Sequence, residues 1–262
     1  MTARLIAERH GRVLVLTISN PGARNALHPD IYAAGTRALT DLRPDDEVGA
    51  VVLTGEGDTF SAGGNVNRLL EFREQDPAVL LDQIEVFHDW IRAIRACDRP
   101  VVAAVEGAAA GGGFSLALAC DQIVAARDAR FLTAYVRIGI TPDGGASHWL
   151  GSRLPYPIAY ELLVTGNPVD AARLHALGVV NRLVAPGEAT ATAVAYAAEL
   201  AAGPGQALGR MKRLLDASAA QGLDAHLERE RDAMVECLFS QDGGEGLRAF
   251  LEKRKPRFSR GA

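Results

Sequence analysis

The stretch AAAGGGFSLALACD, Ala108–Asp121, decides how the rest of the chain is read. Its three consecutive glycines cost backbone entropy, yet an uninterrupted apolar run with helical character starts directly behind them. In front stands PVVAAV (Pro100–Val105), a short β-branched run of the kind buried on both faces of a sheet. The segment reads strand, loop, glycines, helix. Glycine lets a backbone approach a ligand closely, and the first N–H groups of a helix have no intrahelical partner and carry the positive end of its dipole. Gly111–Gly113 therefore form a candidate cradle for an anion, or for an oxygen that gains negative charge during a reaction.

Working outward, further short strands alternate with longer helical patterns. RVLVLTI (Arg12–Ile18), VGAVVLT (Val48–Thr54), QIVAA (Gln122–Ala126) and VVNRLV (Val179–Val184) read as strands. Between the first two, Leu27, Ile31, Ala34, Ala38 and Leu42 recur at helical spacing, with His28-Pro29 as the opening signal and Pro44 as the closing one. Leu80, Ile84, Phe87, Ile91 and Ile94 make a second stripe, read as core. After AAGPGQAL (Ala201–Leu208) the strands stop, and Leu223, Leu227, Met234 and Leu238, then Leu247, Phe250 and Leu251, follow in helical stripes. The expectation is an α/β core with parallel strand pairing over residues 1–200 and a helical C-terminal part over 201–262.

Composition narrows the function classes. A chain of 262 residues that is 48% hydrophobic and 23% charged suits a folded domain with a sizeable core. Its net charge of −4 leaves no electrostatic footprint for nucleic acid. No apolar run is long enough for a membrane span, and Arg4, Glu8 and Arg9 interrupt the N-terminal stretch where a signal peptide needs an apolar segment, so the cytoplasm is the expected compartment. Cys97, Cys120 and Cys237 have neither metal-site nor disulfide spacing and read as reduced thiols.

GEGDTFSAGGNVNRL (Gly55–Leu69) is a second strand exit through small residues towards a helix. Two such turns, each offering a free N–H, are able to clamp one carbonyl oxygen from both sides. Three rival motifs fail. GFSLA (Gly113–Ala117) resembles a nucleophile elbow around Ser115, but that elbow needs its strand to end at the serine, and PVVAAV ends at Val105. No G-K-[ST] follows the glycines, and the G-x-G-x-x-G spacing is absent.

Taken together, the two turns resemble the enoyl-CoA hydratase/isomerase (crotonase) superfamily. The resemblance runs from about Val13 to Phe258, through NPGARNAL (Asn20–Leu27), FSAGGNV (Phe60–Val66, with Asn65 in place of the usual aspartate), AAVEGAAAGGGFSLALACD (Ala103–Asp121), IGITPDGGASHWL (Ile138–Leu150) and LEKRKPRF (Leu251–Phe258). It implies a crotonase-like spiral of ββα repeats, with a helical C-terminal part that serves assembly into a homotrimer or a dimer of trimers. It also implies an acyl-CoA thioester substrate whose carbonyl oxygen is held by the backbone N–H groups of Gly64 and Gly112. No permanently bound cofactor or metal is implied, because coenzyme A enters as part of the substrate. For coenzyme A the resemblance points to Arg24, Ala26 and Ala62, and to Lys253, Arg254 and Lys255, the last three through a neighbouring subunit.

The family's hydratases hold a water between two glutamates. Here those positions fall on Ser115 and Tyr135, which near their ordinary pKa values are poor proton shuttles. Asp143, in TPDGG, sits where several isomerases and a related dehalogenase keep a functional aspartate. The expectation is double-bond isomerisation with Asp143 as single acid/base, and Ser115 and Tyr135 in the substrate pocket, Tyr135 lining it and Ser115 filling space beside Asp143. His148 is expected to be structural. The same departures resemble a branch that acts on oxepin-CoA and related intermediates of aromatic degradation. Hydration by an unusual acid arrangement, and non-catalytic acyl-CoA binding, remain the alternatives.

Overall fold

The computed structural model describes residues 2–43 and 47–259. In chain order its elements are β1 (Arg4–His10), β2 (Val13–Ser19), α1 (Pro29–Thr40), β3 (Ala50–Gly55), α2 (Val66–Phe72), α3 (Pro77–Ala96), β4 (Val101–Val105), β5 (Ala108–Ala110), α4 (Gly112–Ala119), β6 (Gln122–Ala126) and β7 (Arg130–Leu132). There follow α5 (Ala146–Arg153), α6 (Tyr156–Thr165), β8 (Val169–Asp170), α7 (Ala171–Ala176), β9 (Arg182–Val184), α8 (Ala189–Ala201), α9 (Gly205–Ser218), α10 (Leu223–Leu238) and α11 (Gln241–Leu251). Helix α1 opens as expected, with Pro29 in its first turn and His28 Nδ1 accepting from Asp30 N–H; Pro44, read as its closing signal, lies outside the described residues.

Six strands form one sheet in the order β1-β2-β3-β4-β6-β9, parallel throughout except for the β1–β2 hairpin. Strands β3 and β4 are buried along their whole length because both faces are covered. Val51, Leu53 and Ala103 point to the main core with Ile31, Trp90 and Phe114. The alternate residues Ala50, Val52, Val102 and Ala104 pack against Ala189, Ala193, Ala197 and Ala201, one alanine face of α8. A second sheet, β5-β7-β8, lies alongside and is extended by the bridges Ser61–Ala109 and Leu27–Gly64. Successive turns of the chain thus place one strand in each sheet and then a helix, which is the ββα spiral.

Among the described residues no strand follows β9, and Lys212 anchors α9 to the core by donating to the Ile94 carbonyl and to Asp121. The apolar stripes of the C-terminal helices are exposed within one chain: Leu223, Leu227, Met234, Leu247, Phe250 and Leu251 all face outward. No helix among the described residues is long and apolar enough to cross a membrane. The hairpin strand β1 was not expected, because its charged residues Arg4, Glu8 and Arg9 mask the pattern of an edge strand with one solvated face.

Candidate active site

The site begins with a hydrogen-bonded loop. Buried Asn25 accepts from Asn20 N–H through Oδ1 and donates through Nδ2 to the Glu56 and Thr59 carbonyls, tying the Asn20–Leu27 segment to the exit of β3. Arg24 and Asn25 both adopt left-handed backbone conformations, which this network holds in place. Arg24 C=O accepts from Ala62 N–H at 3.0 Å, and Leu27 N–H donates to Gly63 C=O at 2.8 Å. Ser61 Oγ donates to Asn25 C=O and accepts from Gly63 N–H, so the FSAGG turn is fixed from three sides.

That turn sits directly on the glycine run. Gly63 has φ +82°, and a Cβ there would lie 2.4 Å from Ala110 O and 3.2 Å from Gly112 N. Gly111, at φ +51°, turns the chain out of β5 into α4. A Cβ on Gly113 would meet Ser61 at 2.8 Å. Gly111 is thus accounted for by the backbone turn and Gly113 by close approach to a second loop. Gly64 and Gly112 both line one cavity, and neither N–H donates to a protein acceptor among the described residues. Two free amide donors on adjoining turns suit an oxygen that becomes negative.

The cavity measures about 310 Å³. Leu27, Leu69, Phe72, Leu80, Ile84 and Phe87 contribute apolar walls, and Tyr32, Arg68, Gln83, Tyr135, Arg137 and Asp143 are among its polar side chains. Asp143 is the only carboxylate among the described lining residues. Its Oδ1 accepts from Tyr135 O–H at 2.6 Å, while Ser115 Oγ lies 3.1 Å from the Tyr135 hydroxyl and donates to the Asp143 carbonyl at 2.9 Å. Gly144 N–H donates to His88 Nε2 at 3.3 Å, which steadies the TPDGG turn from α3. Burial, and then the adjacent Asp143 carboxylate, hold the Tyr135 phenol well above its ordinary pKa, so it stays a hydrogen-bond donor. Tyr32 is raised in the same way, by burial and then by Asp143, against the opposing charge of Arg68.

The structure therefore gathers Asp143, Gly64, Gly112 and Tyr135 at one cavity. Ser115 stands beside Asp143, but not in the substrate pocket expected to hold it. It is fully buried and lies behind the wall, where it supports Asp143 and Tyr135 without reaching the cavity. Among the coenzyme A candidates only Ala62 lines the cavity. Ala26 is buried, with its N–H bonded to Ala23 C=O and its carbonyl accepting from Asn20 Nδ2. Arg24 is exposed outside the lining. Lys253 and Lys255 are exposed on the C-terminal segment and do not line the cavity within one chain, while Arg254 is ion-paired to Glu245 and Glu252. The stripe read as core on α3 has two uses: Phe87, Ile91 and Ile94 are buried, but Leu80 and Ile84 line the cavity. Tyr32, Arg68 and His88 escaped the sequence reading because no motif marks them. Among the described residues no cluster of His, Cys, Asp and Glu is arranged to hold a metal.

Comparison with known proteins shows the family and the fold. The enoyl-CoA hydratase/isomerase profile matches residues 8–261. Crotonyl-CoA hydratase of Syntrophomonas wolfei is 35% identical over 261 residues, covering 97% of each chain. The 1,2-epoxyphenylacetyl-CoA isomerase of Escherichia coli is 32% identical over 249 residues, covering 94% of this chain and 95% of the relative. The crystal structure of an enoyl-CoA hydratase from Polaromonas sp. matches with a TM-score of 0.96 at 46% identity, over 98% of this chain and 100% of the other. The chain belongs to the enoyl-CoA hydratase/isomerase family.

Proposed function

We propose that this acyl-CoA enzyme shifts a double bond, with Asp143 as the single acid/base. The observation that carries the reading is that Asp143 is the only carboxylate among the described lining residues; the family resemblance, which assigns a hydratase's two glutamates to the positions of Ser115 and Tyr135, supports it. In this mechanism Asp143 removes a proton from C2 of a 3-enoyl thioester. The electron pair moves to the thioester oxygen as a dienolate, which the Gly64 and Gly112 N–H groups stabilise. Each well-aimed donor of this kind lowers a barrier by roughly 3–4 kcal/mol. Asp143 then returns the proton to C4 and the double bond stands at C2–C3, so the base ends as it began. Tyr135, donating to Oδ1, orients the carboxylate and leaves Oδ2 for the substrate.

A second reading, hydration of a 2-enoyl thioester, is favoured by the names of relatives such as the crotonyl-CoA hydratase above. Action on an oxepin-type intermediate of aromatic degradation is the more specific version of the isomerase reading, and the epoxyphenylacetyl-CoA isomerase relative supports it. Ala62 at the cavity rim is the candidate for the coenzyme A chain, with Arg24 beside it and Ala26 confined to shaping the loop; Lys253 and Lys255 reach a bound phosphate only from another subunit. A homotrimer or dimer of trimers supplies that subunit, and the outward-facing apolar residues of α10 and α11 support such an assembly.

The test is incubation with 3-hexenoyl-CoA and, separately, 2-hexenoyl-CoA in deuterated buffer with mass detection. Isomerised, deuterium-bearing product from the first substrate, lost in Asp143→Asn with thioester binding retained, is the expected result. Rapid 3-hydroxyacyl-CoA formation from the second would replace this reading with hydration, and binding without turnover of either, or of an oxepin-type thioester, would leave a non-catalytic acyl-CoA binder.

A further inference from the structure

A second cavity, of about 780 Å³, opens beneath the N-terminal ends of β4 and β6, between α3, α5 and α9, and shares no lining residue with the active pocket. Three cations, Arg95, Arg153 and Lys212, face two carboxylates there, Asp121 and Asp216, leaving an excess of one positive charge; His148 stands at the rim. Arg95 is paired twice, to Asp121 at 2.7 Å and Asp216 at 2.6 Å. Lys212 is paired with Asp121 at 2.9 Å and donates to Ile94 C=O at 2.7 Å. Arg153 is the remaining charge. It is half-buried, and among the described residues no carboxylate lies within ion-pairing distance and no acceptor takes its hydrogen bonds.

Arg153 lies over an aromatic ring that it shares with a second cation. The Arg153 guanidinium lies 5.4 Å from the centre of the Trp149 ring, and the Arg95 guanidinium lies 5.5 Å from the same ring. The Arg95 Nε–H is buried without an acceptor. Burial, and then the like charge of Arg95, push the Arg153 pKa down from its ordinary value. The Arg153 fork has no protein acceptor among the described residues and stands near a second guanidinium, so an oxyanion placed on it would offset that repulsion and accept from the fork. The remaining walls are chemically mixed: Leu200 and Leu208 are apolar, while Ser152 and Gln122 add neutral hydrogen-bonding groups.

We propose that this cavity is a binding site for a small organic anion, a carboxylate or a phosphate ester, with its oxyanion on Arg153 and its apolar body against Leu200 and Leu208. The planar fork of arginine matches either oxyanion in a bidentate contact. The site lies away from Asp143, so its occupancy and the chemistry of the active pocket are separable.

The test is calorimetric titration of the full chain with inorganic phosphate and, separately, with hexanoate, at constant ionic strength set by chloride. Saturable binding of either is expected: phosphate alone marks a phosphate ester as the ligand class, hexanoate alone a carboxylate. Arg153→Gln weakens that binding by roughly tenfold or more, the scale of one lost charge-assisted hydrogen bond, and leaves thioester turnover unchanged. Arg153→Lys, which keeps the charge and loses the fork, falls between the two and stands as a second probe should the glutamine variant not fold. No saturable heat with either anion, or equal affinity in the folded variants, overturns the proposal. So does dissociation of an oligomer on Arg153→Gln, which would make a carboxylate of a second copy the partner of Arg153.

Discussion

Gly63→Ala tests the claim that two loops distant in sequence are pressed together to aim two N–H groups. The new methyl would stand 2.4 Å from Ala110 O, where ordinary contact begins at 3.4 Å, so one loop must retreat by about 1 Å. Backbone atoms meet it, and no flexible side chain is there to swing away. The left-handed backbone at Gly63 adds about 1–2 kcal/mol for alanine, and overpacking about 1–3 kcal/mol. A loss of about 2–5 kcal/mol is large against the roughly 5–15 kcal/mol that stabilises a domain. Retreat of the loop also moves Gly64 N–H away from its partner donor, at a cost of about 10²–10³ in turnover. Gly64→Ala is the control for stability, because a Cβ there meets nothing within 4 Å. Chemical denaturation of both variants, and kcat for any thioester that the enzyme turns over, are the assays. Wild-type stability and turnover in Gly63→Ala would refute the geometry of the paired turns.

Tyr135→Phe removes the donor to Asp143 Oδ1 but leaves Ser115 bonded to the Asp143 carbonyl. Losing a charge-assisted hydrogen bond of about 1.5–3 kcal/mol should lower kcat by about 10- to 100-fold with little change in KM, and an unchanged kcat would remove Tyr135 from the site. Lys212→Met leaves Asp121 with Arg95 as its remaining cation, so denaturant unfolding should show a loss of about 3 kcal/mol, at the lower end for a broken buried pair; no loss would mean that α9 is not anchored through Lys212. Thiol labelling of the native protein should spare Cys97 and Cys120. Both are buried and burial pushes the Cys120 thiol up to about 12, so modification of either before unfolding would contradict the core packing.

Much of the fold is legible in the chain, because its signals are local. The runs around Val51, Val102 and Val124 are apolar at nearly every position, as suits strands covered on both faces, and His28-Pro29 opens α1 where the pattern places it. The glycines of Gly111–Gly113 announced a backbone cradle for the same reason: residue type alone permits that turn and that close contact. Helical periodicity, in contrast, reports which residues share a face and not what covers it. Leu80 and Ile84 sit in the same stripe as Ile91 and Ile94, yet one end of that stripe lines a cavity and the other is core. Leu223, Leu247 and Phe250 show the same ambiguity, apolar in pattern and exposed in a single chain.

What tertiary structure alone decided is convergence. Ser115 at the start of α4, Tyr135 in a single 3-10 turn and Asp143 in an extended loop become one hydrogen-bonded group only after the spiral has closed. Tyr32 and Arg68 reach the same cavity from α1 and α2 without any motif, and Arg153 becomes an unpaired charge only when α5 packs beside α3 and α9. A residue's type and its neighbours in sequence fix its local backbone, whereas the partner it meets across the fold is set by the packing of elements that carry no mark of one another.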